Sequence, residues 1–94
     1  MKIEETLIER NSRYGSLKGH ARITQALKES MHSFVRYEDG KGRSWDALSD
    51  DKKEALDMIA HKIGRILNGD PEYYDSWHDI VGYAKLIADT LEVR

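Results

Sequence analysis

A row of ionisable side chains in the second half of the chain offers the clearest chemistry. Glu54, Asp57, His61 and Arg65 follow one another at steps of three and four residues, so a helix would carry them side by side. Carboxylates on such a row are ligands for a hard cation, and His and Arg pair with phosphate. The row is interpreted either as one wall of a polar cleft, with Glu54 or Asp57 holding a metal, or as a solvated face laced with ion pairs.

Two further acids, Asp75 and Asp79, lie four residues apart near the start of the next predicted helix. Carboxylates at this spacing can share a divalent cation. They are also ordinary at a helix N-terminus, where the macrodipole favours negative charge. The functional hypothesis is that Asp75 and Asp79 face the row of residues 54–65 across a cleft.

A basic and aromatic group lies near the N-terminus, where Arg10, Arg13 and Lys18 flank Tyr14-Gly15. Clustered cations beside an aromatic ring can clamp a nucleotide by phosphate pairing and stacking. The alternative is that they only stabilise the C-terminal end of a helix. The Gly-Lys-Gly-Arg-Ser run at 40–44 is not a P-loop, because it lacks the required spacing and a preceding strand.

The elements that position these residues are predicted to be about four helices in a single domain, residues 1–94. One proline leaves long segments free to be helical, and no segment alternates with period two, so no sheet is expected. Caps, breaks and apolar periodicity predict the limits of the helices. The first runs from Ile3 to just before Tyr14, and the second from about His20 to Tyr37. The third is capped by Ser49 or Asp50, with an Asp51/Glu54 capping box, and stops at Asn68-Gly69; the fourth starts at Asp70-Pro71, or at Asp75 or Ser76, and reaches Leu91.

The predicted fourth helix has apolar character on two sides. Its main apolar stripe is expected in the core and comprises Trp77, Ile80, Val81, Ala84, Ile87, Ala88 and Leu91. The opposite side carries Asp75 and Asp79 together with Gly82 and Leu86. Gly82 and Leu86 are not typical of a face that is exposed only to solvent. A second buried face therefore predicts homo-oligomerisation.

Composition excludes several functions. The chain has 94 residues, no cysteine and a net charge of −2, which argues against thiolate metal sites, disulfides and general affinity for nucleic acid. A helix-turn-helix DNA binder is disfavoured because the predicted His20–Tyr37 helix carries only Arg22, Lys28 and Arg36 as cations and does not concentrate them on one face. No stretch has the length of a membrane span and no signal peptide precedes the first helix, so a cytoplasmic protein is expected.

Residues 54–84, together with Arg-Asn-Ser-Arg-Tyr-Gly at 10–15 and Gly-His-Ala at 19–21, resemble small uncharacterised phage and prophage proteins. That resemblance covers about half of the chain. It implies a phage-type protein acting in the host cytoplasm. One role compatible with it is non-enzymatic binding of another protein through helix faces, for which Tyr73, Tyr74 and Trp77 are candidate contacts.

More remotely, the pattern is similar to the MazG-like all-α NTP pyrophosphatases. The resemblance implies a helical bundle, usually a dimer or tetramer, that cleaves nucleoside triphosphates with Mg²⁺. Residues 75–83 resemble the family's second acidic element, with Asp79 on its aspartate and Asp75 beside it. Residues 61–65 stand where the first acidic element is expected, but His61, Lys62 and Arg65 replace its carboxylates.

This departure leaves two interpretations of the predicted site. In one, Asp75 and Asp79 hold Mg²⁺ and Glu54 or Asp57 completes the metal shell for catalysis. In the other, the metal is lost and His61, Lys62 and Arg65 bind phosphates directly. Arg10, Arg13 and Tyr14 belong to the substrate-binding group in both.

Overall fold

The computed structural model describes residues 2–36 and 42–91, and these form four α-helices and one short 3₁₀ turn. The helices are α1 (Ile3–Tyr14), α2 (Leu17–Ser33), α3 (Asp50–Asn68) and α4 (Tyr74–Ala88), and the 3₁₀ turn is Ser44–Ala47. The predicted all-α class is confirmed. Among the described residues the only β-type pairing is an isolated antiparallel bridge between Val35 and Arg43.

The predicted limits of the second helix are wrong at both ends. It begins at Leu17 because Ser16 caps it, with the Ser16 hydroxyl accepting a hydrogen bond from the Gly19 amide at 3.1 Å. It ends at Ser33, and Phe34, which the prediction placed inside the helix, is extended and 61% exposed. Residues 37–41, which include the predicted end of this helix and the first two residues of the 40–44 run, lie outside the described residues.

The start of α3 also differs from its predicted capping box. Ser49 is the N-cap, as one of the two options had it, but its hydroxyl donates to the Asp51 carboxylate rather than capping the backbone. Asp51 therefore lies within the first turn and does not begin a capping box with Glu54. The helix ends at Asn68 before Gly69, as predicted. The start of α4 at Tyr74 falls between the two predicted starts, and α4 ends at Ala88, before Leu91.

The core of the bundle is thin. The only buried apolar side chains among the described residues are Ala55 and Ala60, both on α3. The predicted core stripe of α4 divides into two: Ile80 and Ile87 are half-buried, whereas Trp77 and Val81 are 52% and 63% exposed. Since five of the seven stripe residues are exposed, α4 has more apolar surface than α3 covers.

The close contact between α2 and α3 depends on a glycine. Gly64 is buried, and a side chain there would meet Thr24 Oγ1 at 2.5 Å and His20 Nδ1 at 3.0 Å. Because Gly64 has no side chain, the polar residues His20 and Thr24 can lie directly on the backbone of α3. The interface between these two helices is consequently polar.

Candidate functional site

The turn between α1 and α2 is fastened to the end of α3 by hydrogen bonds. The Asn68 side-chain amide donates to the carbonyl oxygens of Tyr14 and Ser16 at 2.9 and 2.8 Å. The Asp70 amide donates to the Arg13 carbonyl at 2.7 Å. Gly15, with φ of 74°, supplies the left-handed conformation that brings the chain through this turn. These bonds hold the last turn of α1 beside the last turn of α3.

Two guanidinium groups approach the Tyr14 ring. The central guanidinium carbon of Arg65 is 4.3 Å from the ring centroid and that of Arg10 is 5.4 Å from it. Both distances are within the range of cation–π attraction. Neither guanidinium has a carboxylate within ion-pair distance among the residues that the structure describes. Two uncompensated positive charges therefore converge here from different helices.

Arg13 takes part in a neighbouring cluster instead. Its guanidinium pairs with Glu9 and lies 5.1 Å from the centroid of the Tyr73 ring. The Tyr73 ring in turn packs edge-on against Tyr14, with 5.8 Å between the centroids. Of the basic and aromatic group predicted near the N-terminus, Arg10 and Tyr14 thus lie close to Arg65. Arg13 contacts Tyr73, which in turn packs against Tyr14.

A pair of histidines joins α2 to α3 beside this cluster. His20 Nε2 lies 3.2 Å from His61 Nδ1 and 3.3 Å from Thr24 Oγ1, and the two rings meet edge-on with 4.4 Å between centroids. Two imidazole nitrogens at this distance need one proton between them, so one ring is the donor and the other the acceptor. His20 Nδ1 is buried and has no hydrogen-bond partner among the described residues.

The two histidines are disposed to remain neutral. Burial lowers the pKa of His61 to about 4, and the adjacent His20 and Arg65 add to the effect. Burial also lowers the pKa of His20, again with a contribution from Arg65. Uncharged rings leave the permanent positive charge of the site on the arginines, and they provide N–H groups and lone pairs at the same time.

These residues surround one cavity of about 230 Å³ at the junction of α1, α2 and α3. Arg10, Tyr14, His61 and Arg65, four of the six predicted substrate-binding residues, line it. The remaining lining residues are Leu7, Asn11, Gly15, Leu17 and His20. We call this the arginine–histidine cavity. Its lining contains both cationic and apolar groups and no acidic side chain.

His20 is the contributor that sequence reasoning missed. It lies on α2 and carries no motif, so nothing in its own neighbourhood indicates a partner on α3. The available signal was Gly64, three residues after His61 and in the middle of a helix, where glycine costs stability unless another chain segment approaches closely. That segment is the turn of α2 that carries His20.

The predicted catalytic carboxylates lie elsewhere on α3. Asp57 accepts a hydrogen bond from His32 Nε2 at 2.7 Å, and the His32 ring packs on Trp45 with 4.0 Å between centroids. Glu54 borders a shallow cleft beside Tyr83 near the end of α4. The Asp57 contact ties the 3₁₀ turn to α2 and α3, which is a structural arrangement.

The predicted metal ligands have partners of their own. Asp79 pairs with Lys62 at 3.1 Å, and the Lys62 side chain is only 9% exposed. Asp75 accepts a hydrogen bond from the Tyr73 hydroxyl at 3.1 Å. Lys62 is eight residues after Glu54, about 12 Å along the helix, so Asp79 and Glu54 do not approach each other within one chain.

The residues present do not fit a magnesium cage in the described part of the chain. No group of three or more acidic or histidine side chains there is close enough to share an ion. Mg²⁺ needs several oxygen ligands in an octahedral arrangement. The interpretation with direct phosphate binding is therefore the one that agrees with the donor set, because its residues are cationic and neutral nitrogen groups.

Comparison with known proteins found no family model, curated protein or solved structure that matches this chain. None of the helices in the described ranges combines the length and the apolar character needed to cross a membrane.

Proposed function

We propose that this chain is a nucleotide-binding protein that holds the phosphate of its ligand in the arginine–histidine cavity, without a metal cage. The observation that carries the proposal is the convergence of Arg10 and Arg65, which have no carboxylate partners, on a cavity that also contains His61. A dianionic phosphate would neutralise both guanidiniums through charge-assisted hydrogen bonds.

The rest of the lining favours a nucleotide over a bare anion. Leu17 and Leu7 are 79% and 55% exposed, so apolar surface borders the cationic part of the cavity. The cavity itself is smaller than the 300–1,000 Å³ typical of sites that enclose a whole organic ligand. The phosphate end would enter it, and the base or sugar would rest on the apolar border.

The charged groups beside the cavity have separate roles in this proposal. Lys62 is neutralised by Asp79 and does not line the cavity, so it makes no direct contact with the ligand. The MazG-like resemblance implies a catalytic role for Glu54 and Asp57, but neither residue lines the cavity, so neither takes part in binding. Hydrolysis of a phosphoanhydride would require carboxylates supplied by another subunit.

Isothermal titration with AMP, ATP and inorganic phosphate, each with and without Mg²⁺, tests the proposal. Binding of at least one nucleotide is expected, with an affinity independent of Mg²⁺. Arg65→Met should weaken it by about tenfold to a hundredfold, the value of one or two charge-assisted hydrogen bonds. The matched control is Arg22→Met, at an exposed arginine on α2 that does not line the cavity.

Absence of binding by every nucleotide would contradict the proposal. Equal loss of affinity in Arg65→Met and Arg22→Met would contradict the assignment of the cavity. Far-UV circular dichroism of both variants checks that the helices are intact.

A second candidate function, a phage accessory protein that acts through protein–protein contacts in the host cytoplasm, is favoured by a different observation. The chain has a radius of gyration of 16.0 Å, whereas about 13 Å is typical of a compact 100-residue domain. Large apolar side chains on every helix are exposed, among them Ile8, Leu17, Leu67 and Val81 at 63% or more. Such a surface favours association, first of all with further copies of the chain as a dimer or tetramer.

Sedimentation velocity over a concentration series tests this second candidate. A species of twice or four times 10.9 kDa is expected. A chain that stays at 10.9 kDa at every concentration would contradict self-association.

A further inference from the structure

One line of α4 is apolar along its whole length and is exposed at every position. Tyr74, Trp77, Val81, Ala84 and Ala88 are all exposed, and Leu91 just beyond the helix is exposed as well. Their spacing alternates three and four residues, the a and d pattern of a helix that packs along another helix. We call these six residues the heptad seam.

The seam lies on a different side of α4 from the contacts with α3. The positions of α4 that are least exposed are Ser76, Asp79, Ile80, Tyr83 and Ile87. The Lys62–Asp79 ion pair also belongs to that side. The seam is therefore centred on a different side of α4 from the α3 contacts, and the two surfaces meet at Ala84 and Leu91, which border a cleft with α3.

Two copies of the seam, one running antiparallel to the other, place large side chains opposite small ones near the centre of the contact. When a second α4 runs in the opposite direction about a two-fold axis between Val81 and Ala84, Val81 lies opposite Ala84 and Trp77 lies opposite Ala88. Both of these pairs join a large side chain to a small one, which is how facing helices interdigitate without voids, whereas the outermost pair, Tyr74 opposite Leu91, joins two large side chains at the ends of the seam. The Trp77 indole is already fixed, since its Nε1 donates to the Pro71 carbonyl at 2.7 Å.

The amount of surface agrees with a permanent dimer. The chain exposes 7311 Å², whereas a compact monomer of this mass exposes about 5,600 Å². The excess of about 1,700 Å² per chain reflects the open shape of the whole molecule and is not the area of the seam, but it matches what one subunit can bury in a permanent homodimer, so the chain has surface enough for such a contact. The seam continues at Ala84 and Leu91 into an apolar cleft of about 320 Å³ beside Leu56 and Ile59 of α3, so the candidate contact extends beyond a single helix.

We propose that a second copy of this chain docks antiparallel on the heptad seam, α4 against α4, with the two-fold axis between Val81 and Ala84. This inference rests on the proposed self-association and specifies its geometry. The contact is isologous, because the same surface serves both subunits. It is separate from the arginine–histidine cavity, none of whose lining residues lies on α4.

Charge substitutions at Val81 and Ala84 test the geometry by sedimentation velocity. Val81→Lys and Ala84→Glu should each weaken dimerisation by about a hundredfold or more, because each leaves an unpaired charge in the contact. Both positions are exposed within the chain, so each monomer should keep its helices, which circular dichroism checks. Gln25→Lys, an exposed position on α2, is the matched control and should leave the dimer intact.

Mixing the two charge variants tests the antiparallel register. In the mixed dimer, Lys at 81 of one chain faces Glu at 84 of the other, so association should return although neither variant dimerises alone. Failure of the mixture to associate would overturn the proposed register.

Two other results would overturn the proposal in distinguishable ways. A wild-type dimer that Val81→Lys leaves intact would place the contact on another surface, and self-association itself would stand. A wild-type chain that stays monomeric would overturn both the seam contact and self-association.

Discussion

Replacing His61 with glutamine should make the free energy of unfolding decrease less steeply as the pH is lowered. The His61 ring is half-buried between His20 and Arg65, and burial lowers its pKa to about 4 from the usual 6.5. In the unfolded chain the ring takes up a proton below pH 6.5, whereas in the folded chain it stays neutral down to about pH 4. Protons therefore favour the unfolded state between these values, and stability falls as the pH falls.

The size of the effect follows from the pKa difference. A displacement from 6.5 to about 4 corresponds to about 3 kcal/mol at full value. Solvent reaches part of the ring and screens its charged neighbours, so we expect about 1–2 kcal/mol for His61. This contribution is fully present above pH 6.5 and lost by about pH 4.

Urea unfolding followed by circular dichroism between pH 7 and pH 4 measures the difference. His61→Gln keeps a polar side chain next to His20 but removes the titration, so its stability should fall less steeply than that of the wild type. His78→Gln is the matched control, because His78 is exposed on α4 and outside the cavity. Parallel pH profiles for wild type and His61→Gln would refute the buried neutral pair.

Two pairs of substitutions test the packing that positions the site. Gly64→Ala should destabilise the chain by about 1–3 kcal/mol in urea unfolding, since the added methyl group would lie 2.5 Å from Thr24 Oγ1. Gly82→Ala, in the open middle of α4, should instead stabilise the chain by about 0.5–1 kcal/mol. A change in the free energy of unfolding with the same sign for both variants would contradict the close contact of α2 and α3. Asp79→Asn should cost about 2 kcal/mol, because it leaves the buried Lys62 ammonium without a counter-charge. Lys62→Met should cost less than about 1 kcal/mol, since water can solvate the half-exposed Asp79, and the reverse order would contradict the role of that ion pair.

The class of fold followed from the sequence because helix signals are local. A single proline, the Asn68-Gly69 stop and the absence of alternation were enough to predict four helices and no sheet. The ends of α2 were harder to predict from the sequence. Ser16 caps the helix four residues before the first predicted residue, His20, and the pattern Ser-x-x-Gly has no acidic partner to mark it.

The candidate site was only partly accessible from the sequence because it depends on how helices cross. Periodicity placed His61 and Arg65 on one face, and composition singled out Arg10 and Tyr14, but nothing local joined the two groups. The connection comes from the Asn68 hydrogen bonds that fasten the first turn to the end of α3. Neither their partners nor their register has a sequence signature.

The thin core and the polar cavity have one physical origin. The contact of α2 with α3 is made through Gly64, His20 and Thr24, which brings ionisable groups together but buries little apolar surface. The heptad seam of α4 is apolar surface that the proposed contact with a second copy would bury. In the proposed dimer, this burial would add hydrophobic stabilisation to a polar site that a monomer of this size would maintain poorly. Val81→Lys should therefore lower the unfolding midpoint as well as the mass, although its side chain lies on α4 and far along the chain from His20.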